Sequence, residues 1–387
     1  MASYPRLLQP PRSSFFLFGP RGSGKSTWLS QNFARSATFD LLDEELFQQF
    51  LREPSAFGRA LTRLEKGQWV VVDEIQRLPP LLNEVHRAIE SKKLRFALCG
   101  SSARKLRRAG VNLLAGRALQ MHMHPFVPEE MGKDFDIDTA LEFGSLPVVL
   151  GSSDRPRALS SYAQLYLREE VQAEALVRNL AGFSRFLTVT GVCHGQVLNL
   201  SNVARDSGVA RMTVDTYLSV LEDTLLAYRL PAFETKLRVR ERQHPKLYFV
   251  DPGIARAVRQ DVGPPGSEQK GHLFEGFVGG LLRAYMDYRE LGTALAYWSP
   301  AGTLQTEVDF VVSRGPECIA IEAKSARTLA VRDFAGLRAF AKQPGLRRRI
   351  VVHTGRLSGR TEDGIDTLTI ADFAAELAAG TLWSRPR

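Results

Sequence analysis

Cysteine is scarce and scattered, with Cys99, Cys193 and Cys318 the complete set. An odd number without close spacing excludes a disulfide framework and fits a reducing cytosol. No stretch approaches the roughly 20 consecutive apolar residues of a membrane span, so no membrane partner is expected. The N-terminus lacks the long apolar core of a signal peptide, which adds to the expectation of a cytoplasmic protein. Internal repeats and low-complexity tracts are missing too. What is there is ordinary for globular cores, with 44% apolar and 24% charged residues in a chain of 387. That length suggests two or three domains. A net charge of +9 makes a polyanionic partner plausible without establishing one. The densest breaker clusters, Gly151-Ser152-Ser153-Asp154-Arg155-Pro156 and Gly263-Pro264-Pro265-Gly266-Ser267, mark the expected boundaries. They give domains at 1–155, 156–265 and 266–387.

The most informative stretch runs from Phe15 to Thr27. Gly19, Gly24, Lys25 and Ser26 fill every required position of the phosphate-cradling pattern G-x-x-x-x-G-K-[ST]. The loop Gly19-Pro20-Arg21-Gly22-Ser23-Gly24 is expected to turn backbone N–H groups toward a phosphate chain. Lys25 is expected on the β- and γ-phosphates and Ser26 on Mg²⁺, with Thr27 opening the helix that follows. Phe15 to Phe18 forms an apolar run before the loop and is expected to be a buried strand. Strand, loop and helix together imply ATP bound with Mg²⁺.

A second apolar run, Trp69 to Val72, ends in Asp73-Glu74. It is expected to be a strand buried on both faces of a parallel sheet. Asp73 then holds Mg²⁺ through its shell and Glu74 orients or polarises the attacking water. A third strand, Arg95 to Cys99, ends in Gly100-Ser101-Ser102. Ser101 and Ser102 are candidates to contact the γ-phosphate or the lytic water, with a helix N-cap as the alternative for either.

Taken with Leu113-Leu114-Ala115-Gly116-Arg117, these runs resemble the prokaryotic AAA-type ATPases that carry a conserved uncharacterised C-terminal region, over essentially the whole chain. The resemblance implies ATP hydrolysis at the subunit interfaces of a homo-oligomeric ring, a hexamer as the expected form. Arg117 matches the position of an arginine that reaches the neighbouring subunit's site, where a guanidinium stabilises charge on the transferred phosphoryl. Arg104 is a rival, and a solvated basic patch of Arg104, Lys105, Arg107 and Arg108 is the bland reading. His122 and His124 have metal-like spacing but no nearby Cys or Asp, which favours a strand edge.

The middle region starts helical, from Leu159 to Leu180, and its Leu167-Arg168-Glu169-Glu170-Val171 resembles a linker helix of the same family. A further helix is expected at Phe183 to Thr190. Leu200 to Leu218 then fits a helix-turn-helix, with Ser201 as cap, Gly208 in the turn and a second helix from about Arg211 to Asp223. Arg211, Thr213, Asp215 and Thr216 are expected on its open face. Leu225 to Leu230 and Lys246 to Val250 are expected to be strands of a wing, with Lys236, Arg238, Arg240 and Arg242 between them. Eight basic and three acidic residues fall between Leu225 and Gln260, a composition suited to DNA phosphates. A packing module inside the ATPase is the other use of such a winged helix.

The last region carries Glu275 in a helical run, Asp309 in the strand Thr306 to Val312, and Glu322 and Lys324 in the strand from Cys318. An acid on one strand and Glu-x-Lys on the next resembles the restriction-endonuclease-like nucleases. Period-two geometry puts Glu322 and Lys324 on one face. Asp309 and Glu322 then hold Mg²⁺ beside a phosphodiester, and Lys324 orients water or stabilises charge. A degenerate fold kept for packing or for holding DNA stands beside that reading.

The expected fold class is therefore α/β throughout. A parallel-sheet P-loop ATPase domain is followed by an α-helical winged-helix domain and an α/β nuclease-like domain. The expected function is a ring-forming ATPase that remodels or translocates DNA, with branch migration in DNA repair as one concrete version. An ATP-regulated, Mg²⁺-dependent nuclease and an ATP-dependent regulatory switch without DNA are the rivals.

Overall fold

The computed structural model describes residues 4–101, 114, 116–166, 179–234, 244–300 and 306–384. The chain forms two compact units. One comprises Leu8–His124 with Val220–Leu225; the other comprises Met1–Leu7, Pro125–Ser219 and Leu226–Arg387. Residues 125–155, placed with the ATPase domain from the sequence, thus fall in the second unit.

The first unit is built on a five-stranded parallel sheet in the order β2-β3-β4-β1-β5. The strands are β1 (Phe15–Phe18), β2 (Ala37–Asp40), β3 (Trp69–Asp73), β4 (Arg95–Gly100) and β5 (Leu119–His122). Every side chain of β1 is buried, as is Val70 to Asp73 of β3, because both strands are covered on two faces. The helices are α1 (Lys25–Asn32), α2 (Glu44–Arg52), α3 (Pro54–Thr62) and α4 (Leu82–Lys92). Asp43 starts α2 by accepting from Glu45 N and Leu46 N. Phe16, Phe18, Phe57, Val70, Val72 and Phe96 belong to one continuous apolar core. β5 is an edge strand, paired to β1. It carries His122, and His124 follows it, in keeping with the strand-edge reading.

The second unit holds a six-stranded mixed sheet and a three-stranded one. The three-stranded sheet is β6 (Gln196–Val197), β8 (Lys246–Phe249) and β7 (Ala227–Leu230), with β8 antiparallel to both neighbours. The mixed sheet runs β13-β14-β12-β11-β10-β9. Its strands are β9 (Ala294–Trp298), β10 (Val308–Arg314), β11 (Glu317–Lys324), β12 (Leu346–His353), β13 (Gly359–Arg360) and β14 (Asp366–Thr369). Just past β7, Tyr297 N donates to Pro231 O at 3.0 Å and Phe233 N to Tyr297 O at 2.6 Å. The chain leaving the small sheet thereby lies along β9.

The labelled helices here are α5 (Leu180–Val192), α6 (Leu200–Ser207), α7 (Arg211–Asp223, of which Val220 onward counts with the first unit), α8 (Pro252–Arg259), α9 (Ser267–Arg289) and α10 (Ile370–Ala379). Helix α7 has the bounds read from the sequence, and Gly208 takes the left-handed turn at φ 64° that closes α6. The cap of α6 is a correction. Asn199, not Ser201, accepts from the N–H groups of Ser201 and Asn202. The signal was readable, since Asn caps as well as Ser and stands one residue before the helix. Asp154, inside the first breaker cluster, caps the short helix Arg155–Ser161, and Gly266, inside the second, precedes α9. Both clusters therefore start helices. The segment Leu167 to Val171 lies outside the described residues. Among the described residues no helix is long and apolar enough to cross a membrane.

Candidate functional site

The loop between β1 and α1 is shaped by its glycines. Gly22 and Gly24 take φ 77° and 89°, a region closed to most residues with a Cβ. A Cβ on Gly19 would lie 2.5 Å from Met123 O, so no larger residue fits there without movement. Lys25 is 6% exposed and its Nζ donates to Gly19 O at 2.8 Å and Pro20 O at 3.1 Å. The ammonium is thus folded over the loop it would share with phosphate. Ser23 Oγ is buried with no hydrogen-bond partner among the described residues.

β3 delivers its acids to the same place. Ser26 Oγ donates to Asp73 Oδ2 at 2.7 Å, joining the first turn of α1 to the tip of β3. Asp73 Oδ1 accepts from Glu74 N at 3.0 Å. A hydroxyl and a carboxylate side by side are hard oxygen donors of the kind Mg²⁺ prefers. The donor set, the inturned loop and the unsatisfied Ser23 hydroxyl all fit a magnesium nucleotide.

Glu74 sits at φ 57°, ψ 39°, a left-handed conformation that costs a non-glycine residue roughly 1–2 kcal/mol. Such strain persists where surrounding structure imposes it, and it clusters at functional positions. Beside Glu74 lies Gln76, whose Nε2 donates to Glu74 Oε2 and, at 3.1 Å, to Ser101 Oγ. Gln76 thus ties the acid of β3 to the serine at the tip of β4. The sequence reading missed Gln76. Its signal was the two-residue spacing from Glu74 on a tight turn. Nearby, burial pushes the Cys99 thiol well up, with the Asp73 charge adding to the effect. Ser102, Arg104, Lys105, Arg107 and Arg108 lie outside the described residues.

Arg117 precedes β5 and is 41% exposed, its Nε donating to Glu90 Oε1 of α4 in the same chain. It is accessible, and pairing to an exposed carboxylate holds it only weakly. Among the described residues no group of three or more His, Cys, Asp and Glu side chains is placed to hold a metal.

The C-terminal carboxylates do come together, but around a cation of the chain itself. β10 pairs with β11 through Phe310↔Ile321, which puts Asp309 beside the end of β11. Asp309 Oδ2 accepts from Ala323 N at 2.9 Å. Lys324 Nζ donates to Glu322 Oε1 at 2.5 Å, as the shared strand face predicts. Glu275 arrives from α9. Into this set β8 inserts Lys246, 2% exposed, whose Nζ reaches Glu275 Oε1 at 2.8 Å, Asp309 Oδ1 at 3.3 Å and Glu307 Oε1 at 3.3 Å. Two residues on, Tyr248 OH also donates to Glu275 Oε1.

Burial, then the charge of Asp309, pushes the Glu275 carboxyl up to about 7 against the pull of Lys246. Burial also raises the Glu322 carboxyl well above its usual range. Burial opposes ionisation of Asp309, but Lys246 and Lys324 outweigh it and hold that carboxyl below its usual value. A divalent ion needs these oxygens facing it, and the ammonium of Lys246 takes those of Asp309 and Glu275. The residues do not fit the expected Mg²⁺ site.

Lys246 is thereby a correction to the wing reading. It is one of the eight basic residues between Leu225 and Gln260, and it is buried rather than open to DNA phosphates. Arg256 is buried as well, donating to Glu142 O at 2.6 Å. Arg229 pairs with Asp215 at 3.4 Å, and Arg259 with Asp261 at 3.0 Å. Lys236, Arg238, Arg240 and Arg242 lie outside the described residues. On α7, Arg211, Met212, Asp215 and Thr216 are exposed and Thr213 is half-buried, while Val214, Tyr217, Leu218 and Leu221 are buried.

Three family models match the chain in tandem. Residues 11–132 match an AAA domain, residues 134–263 a domain of unknown function (DUF8612), and residues 270–373 a domain of unknown function (DUF4143). The N-terminal unit is an AAA-type P-loop ATPase domain, as its five-stranded parallel sheet and the first match agree. No curated protein matches the sequence. Among solved structures, the Aeropyrum pernix ORC1 protein in complex with DNA is 14% identical, with 65% of this chain and 87% of that one covered and a TM-score of 0.27. The replication initiator DnaA bound to AMPPCP and single-stranded DNA is 13% identical, covering 55% and 82%, at a TM-score of 0.28. Protein VC1899 from Vibrio cholerae is 13% identical over 95% and 96%, at a TM-score of 0.23. At such scores nothing below rests on these three.

Proposed function

We propose that the chain is a ring-forming, cytoplasmic ATPase that couples ATP hydrolysis to work on DNA. The observation that carries the ATPase reading is the contact of Ser26 with Asp73 at 2.7 Å beneath a loop closed by Lys25. In this reading the N–H groups of residues 19–24 and the ammonium of Lys25 hold the triphosphate. Mg²⁺, held by Ser26 and Asp73, neutralises charge on the β- and γ-phosphates when bound. Glu74 orients the attacking water and accepts its proton, and Gln76 and Ser101 fix the direction of the Glu74 carboxylate. Arg117, freed from Glu90, stabilises the transferring phosphoryl in the neighbouring subunit of a homo-oligomeric ring, a hexamer in this reading. Sites completed in trans make turnover depend on assembly.

DNA is proposed as the partner on three supports: the net charge of +9, the exposed Arg211 and Thr216 on α7, and the basic run Lys236, Arg238, Arg240 and Arg242. Helix α6, the turn at Gly208, helix α7 and the β7–β8 pair follow one another in the order of a winged helix. Remodelling or translocation of duplex or branched DNA is the work this suggests, with branch migration one form of it. The donor set around Asp309 lends no support to the rival nuclease, whose named residues were Asp309, Glu322 and Lys324.

The test is the ATPase rate of the full chain with no DNA, single-stranded, duplex and four-way DNA, at two salt concentrations. Stimulation that weakens with salt is expected. A rate unmoved by all three DNAs would instead favour an ATP-dependent switch without DNA.

A further inference from the structure

The carboxylate cluster of the second unit has a cation already, and that cation is covalently part of the chain. Three carboxylates from two elements, Glu275 of α9, Asp309 of β10 and Glu307 just before it, converge on one ammonium within 3.3 Å. Lys246 is 2% exposed, Asp309 2%, Glu322 5% and Glu275 8%, so bulk cations have little access. Two further oxygens are engaged, with Asp309 Oδ2 on Ala323 N and Glu322 Oε1 on Lys324. Glu322 Oε2 alone is buried without a hydrogen-bond partner among the described residues. The arrangement is that of a metal site with the metal position taken: hard oxygens from adjacent strands and a helix, a buried unpaired carboxylate oxygen, and the Lys246 ammonium among them.

We propose that Lys246 serves as the built-in counter-ion of this cluster, so that the cluster takes no divalent cation, and that removing the lysine turns it into a divalent-cation site formed by Asp309, Glu275 and Glu322. The chemistry follows from charge. Glu275, Glu307, Asp309 and Glu322 face Lys246 and Lys324, four acids to two bases. Deleting the Lys246 charge leaves Asp309 Oδ1 and Glu275 Oε1 without their cation. A small divalent ion then satisfies both at once, with Glu322 Oε2 as a third oxygen. Lys246 reaches the site because β8 is laid against it from the small sheet, and Tyr248, on the same strand face, braces Glu275. Neither residue belongs to the Glu-x-Lys strand, so the seal comes from a strand far earlier in the chain.

The experiment titrates Mn²⁺ into the nucleotide-free full chain and reads free Mn²⁺ by electron paramagnetic resonance. The proteins are wild type, Asp309→Asn, Lys246→Ala and the double variant. Wild type and Asp309→Asn are expected to bind Mn²⁺ identically up to about 1 mM, the weak end of biological sites. Lys246→Ala is expected to gain one Mn²⁺, at least about tenfold tighter, which the double variant loses and Mg²⁺ displaces. Two results overturn the proposal. One is a wild-type Mn²⁺ site that disappears in Asp309→Asn, which means the lysine yields to metal. The other is a folded Lys246→Ala protein with no added site. If Lys246→Ala does not fold, Lys246→Gln, which keeps a donor but no charge, replaces it, and the wild-type comparison still decides the first point.

Discussion

Replacing Lys246 by Met should destabilise the second unit strongly at pH 8 and weakly at pH 5. Three carboxylates within 3.3 Å of a 2% exposed ammonium lose their partner. Breaking a buried ion pair from one side costs about 3–5 kcal/mol, since the remaining charge stays desolvated. Protonation relieves that loss. The folded-state Glu275 carboxyl, at about 7, lies above its ordinary 4.5, so folding takes up a proton between those values. A group raised in this way makes stability fall as pH climbs through the window, because the unfolded chain binds fewer protons there. Without Lys246 the window extends upward, since that ammonium was holding the value down. Glu322, raised in the same direction, adds to the effect. At pH 5, below the Glu275 value, that carboxyl is protonated in the fold, and the loss should shrink to about 1–2 kcal/mol. The difference between the two pH values is then about 2–3 kcal/mol.

Urea unfolding measures it, with Trp28 and Trp69 replaced by Phe so that Trp298 and Trp383 report the second unit alone. An equal loss at both pH values, or a loss below about 1 kcal/mol at pH 8, would refute the claim that Lys246 neutralises the cluster.

Four further outcomes are expected. Lys25→Ala and Glu74→Gln should each lower ATP turnover by at least about 100-fold, and Glu74→Gln should still take up labelled ATP in filter binding. Arg117→Ala should lose roughly 1,000-fold in turnover, and mixing it with Lys25→Ala chains should restore part of the rate, because mixed rings pair an intact arginine with an intact P-loop. Charge reversal at Arg238, Arg240 and Arg242 should weaken duplex DNA binding about uniformly across sequences and flatten the salt slope, as read by fluorescence anisotropy; unchanged affinity removes the wing from the interface. Gly144→Ala should cost about 2–4 kcal/mol in the same urea assay, since φ is 77° and a Cβ there would lie 1.8 Å from Asp251 Oδ1.

The nucleotide site was legible because its signals are local. Phe15 to Phe18, Val70 to Val72 and the Gly-Lys-Ser run each specify strand, loop or helix within a few residues, and the sheet places them side by side. Helix α7 was equally readable from the period of Val214, Tyr217, Leu218 and Leu221. The cluster was half legible. The Asp309 and Glu322 strands pair as expected, and Lys324 turns to Glu322, since both follow from period two on adjacent strands. Lys246 was not legible, because no local pattern separates a lysine opening a surface strand from one that fills a carboxylate pocket. That distinction depends on the packing of β8 against α9 and β10, a long-range fact. The two compact units divide elsewhere than at the breaker clusters, for a similar reason. Gly, Ser, Asp and Pro clusters mark helix starts as readily as linkers, and Asp154 caps a helix within the second unit.

The most direct measurement is equilibrium binding of a labelled, non-hydrolysable ATP analogue to the full chain with and without Mg²⁺, in wild type and Lys25→Ala. The account predicts one bound nucleotide per chain, tighter with Mg²⁺ and lost in Lys25→Ala. No uptake by the folded wild-type chain, or uptake indifferent to Lys25, would contradict it.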